Sequence, residues 1–188
     1  MRLLFKVLAP SLLFLGGAAF IAVDYLPEQI EIKKQLVVGA DPEQVYTYLQ
    51  NPTDWPHWSA LGKAHDPSVI HLYGGPRTGS GARMQWSGDK LGNGHLVLNE
   101  TTSPALLTYT QLTNGDTDST FGVFILTEVK GGTQINWSQR MQLEPTKLAK
   151  LKGVLRKYKM EQQQEQGLLG LKTLLLENSK KRAENKTR

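Results

Sequence analysis

The chain has 188 residues, of which 39% are hydrophobic and 21% charged, and this is enough for one domain with a hydrophobic core but too short for two. It contains no cysteine, which excludes disulfides, thiol nucleophiles and cysteine–zinc sites. The formal net charge of +5 comes from the two ends, because basic residues precede position 7 and the segment 179–188 carries five basic residues and one acid. We interpret residues 180–188 as a solvated basic tail and expect no nucleic-acid partner.

An uncharged segment near the start predicts a membrane element. Residues 7–23 read VLAPSLLFLGGAAFIAV, a marginal length for spanning ~30 Å of hydrocarbon, and Lys6 can snorkel to the interface. Basic residues precede the segment and Asp24 follows it, which places the N-terminus in the cytoplasm. An uncleaved signal anchor and a cleaved signal peptide both fit, and we favour the anchor because the small residues 16–18 lie inside the apolar run. We therefore expect residues 1–25 to form a single-pass transmembrane helix in the inner (cytoplasmic) membrane, with the remaining chain on the extracytoplasmic, periplasmic side.

The first elements after this segment are a strand and two short helices. Residues 29–38 (QIEIKKQLVV) are rich in β-branched side chains and predict a strand. Asp41 and Pro42 are a typical helix start, with Asp41 as the expected cap, and this helix ends at Asn51-Pro52. A short helical turn follows, carrying Trp55 and Trp58.

Six further strands follow without helices between them, which predicts an antiparallel meander. Glycine, proline and asparagine mark the turns, including Asn114-Gly115-Asp116. The predicted strands are 68–73, 79–87, 94–100, 106–112, 120–129 and 133–143.

A long helix is predicted from Pro145 to about Ser179. Its first half is basic and contains no acidic residue. One side of this half carries Leu148, Leu151, Leu155 and Tyr158, a pattern that is also typical of a helix at a membrane interface. We favour a helix that packs on the domain with a solvated basic face. The second half has its own stripe along one side, formed by Met160, Gln164, Gly167, Leu168, Leu171 and Leu175.

Two glycines inside this helix indicate a steric requirement. Glycine costs ~1 kcal/mol relative to alanine in a helix, so Gly167 and Gly170 indicate either close approach of another element or room for a ligand. We favour close approach.

Four segments of the chain, in this order, resemble the START/polyketide cyclase/birch-pollen-allergen-like superfamily, SRPBCC, and within it the bacterial polyketide cyclase/dehydrase type. They are ADPEQVYTYLQNPTDWPHW, MQWSGDKLGNGHLVL, GGTQINW and QGLLGLKTLLLE, and they cover about residues 30–178. The resemblance implies an α+β helix-grip fold over residues 29–179, in which a curved antiparallel sheet wraps the long C-terminal helix. It also implies a cavity between sheet and helix that holds an apolar molecule, and an interior filled entirely by side chains would count against that function.

We therefore predict a membrane-anchored binding or carrier domain for a hydrophobic small molecule or lipid. A polyketide cyclase/dehydrase-type enzyme is the alternative, because some members of the superfamily catalyse cyclisation or dehydration.

We expect Trp86 and Trp137 to belong to the hydrophobic core, with lining of the ligand site as the second interpretation. The candidate ligand-binding residues are Met84, Trp86, Leu96, Leu98, Tyr109, Ile135, Trp137, Gln164, Gly167, Leu168 and Leu171. Trp55 and Trp58 are expected to close the open end of the sheet rather than to contact the ligand.

No pattern in the sequence identifies a catalytic residue. The histidines, His57, His65, His71 and His95, lack metal-ligand spacing, and no serine-hydrolase elbow or phosphate loop occurs. We predict neither a metal nor a cofactor. If the enzyme alternative holds, at least one of Arg83, His95, Glu100 and Tyr109 should face the interior; Asp54 and His57 are a weaker acid–base pair.

Overall fold

The fold is a seven-stranded antiparallel sheet packed against one long helix, in a computed structural model that describes residues 22–113 and 119–186. The strands run in the spatial order β1-β7-β6-β5-β4-β3-β2. Their bounds are β1 Gln29–Val38, β2 Ile70–Gly74, β3 Arg83–Gly88, β4 Gly92–Thr102, β5 Leu106–Thr113, β6 Thr120–Val129 and β7 Gly132–Gln142. The predicted meander is confirmed, and the predicted turn at residues 114–116 lies outside the described residues.

The first strand joins the sheet at its far edge, beside the last strand. β1 pairs with β7 in antiparallel register, with Gln29 opposite Gln142 and Val38 opposite Thr133. The register shifts in β4 between Leu98 and Thr101, where a bulge interrupts the pairing with β5. Since bulges bend the strand that carries them, this one contributes to the curvature that lets the sheet wrap a helix.

Two short helices cross between β1 and β2, as the sequence predicts. They are α1, Pro42–Leu49, and α2, Trp55–Trp58. The prediction that Asp41 caps α1 through its side chain is wrong. Its exposed carboxylate makes no capping bond, and its backbone carbonyl instead accepts from the amides of Gln44 (3.0 Å) and Val45 (3.1 Å).

The C-terminal helix α3 is longer than the sequence suggests. It spans Lys147–Lys186, 40 residues, and so continues beyond Ser179 into the segment expected to be a solvated tail. Lysine, arginine, alanine and glutamate in that segment are good helix formers, and the existing helix supplies the nucleus that a separate segment would lack.

The expected transmembrane helix lies almost entirely outside the described residues, since the description begins at Ala22 with a 3-10 turn at Val23–Tyr25. None of the helices in the described ranges combines the length and the apolar character needed to cross a membrane.

The main core lies between the inner face of the sheet, α1, α2 and the second half of α3. Along the strands every second residue points to this core, for example Ile135 and Trp137 in β7. A smaller cluster fills the space under the first half of α3, and it consists of Ile30, Ile32, Met141, Leu143 and Met160.

Candidate functional site

Five aromatic side chains occupy the space between the sheet and α3. They are Trp55 and Trp58 of α2, Tyr109 of β5, Phe124 of β6 and Trp137 of β7, and each is at most 5% exposed. Ring centroids lie 4.9 Å apart for Trp55 and Trp58, 5.0 Å for Trp55 and Tyr109, and 4.7 Å for Phe124 and Trp137. We call these five residues the aromatic cluster. It contacts α3 through Trp58 and Trp137, whose rings flank Gly167.

Glycines on two facing elements let these rings approach. Gly122 in β6 lies opposite Tyr109, and a Cβ there would overlap the phenol ring. A Cβ on Gly167 would come within 2.8 Å of the Trp137 ring, and one on Gly170 would overlap the Trp58 carbonyl oxygen. The prediction that Gly167 and Gly170 permit close packing is therefore confirmed, because both positions are occupied by protein atoms.

The phenol of Tyr109 is the polar centre of the cluster. Its oxygen accepts hydrogen bonds from Trp137 Nε1 (2.9 Å) and Gln139 Nε2 (2.8 Å). Burial raises the pKa of Tyr109 well above its ordinary value, and the two donors only partly offset this. The phenol therefore stays protonated and is a weak acid, so it can donate a hydrogen bond but not readily a proton.

Three buried polar atoms lack a hydrogen-bond partner within the described part of the chain: Trp58 Nε1, Trp86 Nε1 and Gln164 Oε1. Gln164 is fully buried, and its amide nitrogen donates to the Trp137 carbonyl at 3.0 Å while its oxygen stays unpaired. Trp58 has its ring centroid 6.0 Å from that of Trp137. Trp58 and Gln164, which carry two of these atoms, are therefore both neighbours of Trp137.

All the predicted ligand-binding residues are buried between the sheet and the helices. Met84, Trp86, Leu96 and Leu98 lie on the β3–β4 side, and Gln164, Gly167, Leu168 and Leu171 face the sheet from α3. The structure brings them into one interior, while their contact with a ligand stays a prediction. Trp55 and Trp58 are buried within the aromatic cluster, while their closing of the open end of the sheet stays a prediction.

The acid–base candidates are mostly outside this interior. Arg83 and Glu100 are exposed, and half-buried His95 lines a pocket of about 280 Å³ on the opposite face of β4. Asp54 accepts from the Asn51 amide at 3.0 Å, and His57 is exposed. Tyr109 is therefore the one member of the four strand candidates that faces the interior.

Sequence reasoning missed Phe124 and Gln139. Every residue from Phe121 to Leu126 except Gly122 is apolar, so the period of two does not reveal which side of β6 is buried. Gln139 had a usable signal, because it lies two residues after Trp137 and must share its face. A glutamine at such a position requires a buried partner, which Tyr109 provides.

Comparison with known proteins agrees with this architecture. The sequence profile described as polyketide cyclase / dehydrase and lipid transport matches residues 29–176. No protein with a curated description matches the chain.

Similar solved structures share the fold at low sequence identity. A protein from Rhodobacter sphaeroides is 20% identical with a TM-score of 0.58, covering 78% of this chain and 92% of its own. A protein of unknown function from Staphylococcus aureus is 13% identical with a TM-score of 0.59, covering 82% and 97%. The di-domain aromatase/cyclase StfQ from the steffimycin biosynthetic pathway is 14% identical with a TM-score of 0.60, covering 80% of this chain and 52% of its own.

Proposed function

Since the chain belongs to the polyketide cyclase / dehydrase and lipid transport family, we propose that it binds a hydrophobic small molecule or lipid between the sheet and α3, as a binding or carrier domain tethered to a membrane by residues 1–25. The observation that supports ligand binding most directly is that three buried polar atoms have no hydrogen-bond partner among the described residues. Leaving a buried donor or acceptor unpaired costs about 1–3 kcal/mol, so a partner for these atoms is expected.

The two free groups beside Trp137 indicate what the ligand carries. A ligand that brings an acceptor to Trp58 Nε1 and a donor to Gln164 Oε1 would satisfy both atoms, and a hydroxyl has both functions. The surrounding rings and leucines suit an apolar body. A mainly apolar molecule with one hydroxyl-like group therefore fits the site best, in keeping with small-molecule sites generally.

The cavity expected between sheet and helix is filled by the aromatic cluster at this point, which counts against a preformed site. A ligand can therefore enter only by displacing part of that cluster. Trp58 is the easier of the two α2 tryptophans to move. Trp55 donates its indole N–H to the Leu49 carbonyl at 2.9 Å, whereas the Trp58 indole N–H has no acceptor among the residues that the structure describes. We infer that Trp58 moves on binding and that its N–H then meets the ligand.

The test is native mass spectrometry of the full chain in detergent, with Gln164→Leu compared with Gln163→Leu. Gln163 is the adjacent, exposed glutamine of the same helix and serves as a matched control. We expect a co-purifying apolar molecule in the parent and in Gln163→Leu, and roughly fivefold lower occupancy in Gln164→Leu, as expected for one lost hydrogen bond. Absence of any bound apolar molecule, together with unchanged tryptophan emission on adding fatty acids, sterols and aromatic polyketides, would contradict the proposal.

A cyclase/dehydrase-type activity is the second candidate, and buried Tyr109 is the observation that favours it. The raised pKa keeps the phenol protonated, so it can polarise a substrate oxygen that enters the cluster by donating a hydrogen bond. Under this alternative Tyr109→Phe abolishes turnover while leaving ligand occupancy measurable. Under the carrier function the same variant retains transfer of the ligand between vesicles.

The proposed location is the inner membrane with residues 29–179 on the extracytoplasmic side. The uncharged segment 7–23 with basic residues before it supports this orientation. Reporter fusions after Arg188 distinguish the outcomes: an alkaline phosphatase fusion should be active and a green fluorescent protein fusion dark. The reverse pattern would place the domain in the cytoplasm.

A further inference from the structure

The first half of α3 exposes apolar side chains on the side that faces away from the sheet. Each is more than half exposed: Leu148 (62%), Leu151 (52%), Val154 (56%), Leu155 (60%) and Tyr158 (60%). We call these five residues the apolar stripe. Scattered apolar residues are normal on a protein surface, but a contiguous group on one helix face indicates an interaction site.

Lysines flank the apolar stripe on both sides. At 100° per residue, exposed Lys152 and Lys159 lie along one border and exposed Lys157 along the other. No acidic residue occurs between Thr146 and Met160. An apolar face bordered by lysines matches a helix that lies in the interface of an anionic bilayer.

The start of α3 also contacts the residues that directly follow the uncharged N-terminal segment. Lys147 Nζ contacts Asp24 Oδ2 at 3.0 Å, and Lys150 Nζ reaches Glu28 Oε1 at 3.0 Å and the Asp24 carbonyl at 3.2 Å. Asp24 directly follows the 17 uncharged residues 7–23. The start of α3 is thereby fixed beside the point at which the chain would leave a bilayer.

We propose that the apolar stripe and its flanking lysines dock onto the anionic surface of the membrane in which residues 7–23 are inserted, an inference that rests on the proposed tether. The stripe extends over about 15 Å of helix, and exposed Glu165 follows it on the same face, so we expect docking to be confined to the first half of α3.

Charge favours a bilayer over two other possible occupants of the apolar stripe, a second copy of the chain and the chain's own residues 1–23. A second copy packed symmetrically on the stripe would bring Lys152, Lys157 and Lys159 near their own equivalents, where like charges repel. The chain's own residues 1–23 contain no acid to pair with these lysines. Anionic lipid headgroups supply both an apolar layer and negative charge.

The absence of native cysteine allows a single-label test in the full chain reconstituted into vesicles. Leu155→Cys and Leu169→Cys each receive an environment-sensitive fluorophore. Leu169 is a matched control, because it is 53% exposed and lies 14 residues further along the same helix, close to four full turns. In vesicles of roughly one-third phosphatidylglycerol in phosphatidylcholine, we expect blue-shifted emission shielded from aqueous quencher at 155 and water-exposed emission at 169.

The charge requirement is tested with two triple variants that carry the label at 155. Replacing Lys152, Lys157 and Lys159 with glutamine should lower the ratio of docked to undocked protein roughly 100-fold, at about a fivefold effect per lysine. The control removes Lys172, Lys180 and Lys181 from the distal half of the helix and should leave the emission unchanged. Pure phosphatidylcholine vesicles should behave like the first triple variant.

Vesicle flotation separates failure of the tether from failure of docking. A chain that does not float with vesicles overturns the tether. A chain that floats but shows the same aqueous emission at 155 and 169 overturns docking alone. Shielding at 155 that persists in detergent and in uncharged vesicles also overturns it, because it identifies a protein segment or a second copy as the occupant.

Discussion

Replacing Tyr109 with phenylalanine should destabilise the domain by removing one oxygen atom. The phenylalanine ring keeps the packing of Tyr109 against Trp55 and Phe124, but Trp137 Nε1 and Gln139 Nε2 lose their acceptor. Both donors belong to side chains that are at most 8% exposed, so water cannot easily replace the phenol. At about 1–3 kcal/mol for each orphaned donor, the loss is roughly 2–6 kcal/mol.

The assay is thermal unfolding of the full chain in nonionic detergent, followed by near-ultraviolet circular dichroism. A loss of that size lowers Tm by about 4–24 °C for a domain of this length. The control is Tyr158→Phe, because Tyr158 is 60% exposed and its phenol is in contact with solvent. In the double variant Y109F/Q139L one orphaned donor is removed, so its Tm should lie above the value that additive single effects give.

The pH dependence of the same variant gives an independent check. Burial raises the pKa of Tyr109 in the folded state, so the unfolded phenol ionises first. Its contribution to stability is complete below about pH 10 and is lost as the pH rises above that value. The parent should therefore lose more stability between neutral and strongly alkaline pH than Tyr109→Phe does. A Tm for Tyr109→Phe within about 1 °C of the parent, with the same alkaline slope, would refute the view that this phenol organises the interior.

Three further substitutions test the packing of α3 and of the loop before β2. Leu171→Ala should lower the free energy of unfolding by about 2–5 kcal/mol, because Leu171 is fully buried. The control is Leu169→Ala, at an exposed position two residues away, which should change it by less than about 0.5 kcal/mol. Thermal unfolding measures both. Gly170→Ala should lower Tm despite the higher helix propensity of alanine, because the new Cβ would overlap the Trp58 carbonyl oxygen; a higher Tm would show that α2 is free to move away. Asp66→Asn should lower the free energy of unfolding at neutral pH, since hydrogen bonds from the Ser68 hydroxyl and the backbone amides of Leu91 and Lys90 lower the pKa of Asp66. The parent should lose this contribution as the pH falls below about 4. If the variant loses as much stability as the parent does below about pH 4, the prediction is contradicted.

The meander was predictable because each strand carries its own pattern and punctuation. β6 was placed at Thr120–Val129 from sequence with the bounds that the structure shows, and the other strands agree to within a few residues. These signals are local: period-two alternation and turn residues depend on neighbours in the chain. The position of α3 against the sheet followed from the family resemblance instead.

The contents of the interior were less predictable, since they depend on contacts between distant residues. The bond between Trp137 and Tyr109 joins residues 28 positions apart, and no local pattern encodes it. The sequence left open whether Gly167 makes room for a ligand or for protein, and only the position of the Trp137 ring decides this. Likewise, the prediction of a side-chain cap at Asp41 rests on a statistical preference for aspartate at this position. The exposed carboxylate makes no such bond in the structure.

The pairing of β1 with β7 has a consequence for biosynthesis. β1 is made directly after the uncharged N-terminal segment, but its partner is complete only when Gln142 has been added, over a hundred residues later. At about 5–20 residues per second, this strand waits roughly 5–21 seconds without a neighbour. Lys33 and Lys34 in the middle of β1 give the waiting edge a charge that discourages pairing with other nascent chains.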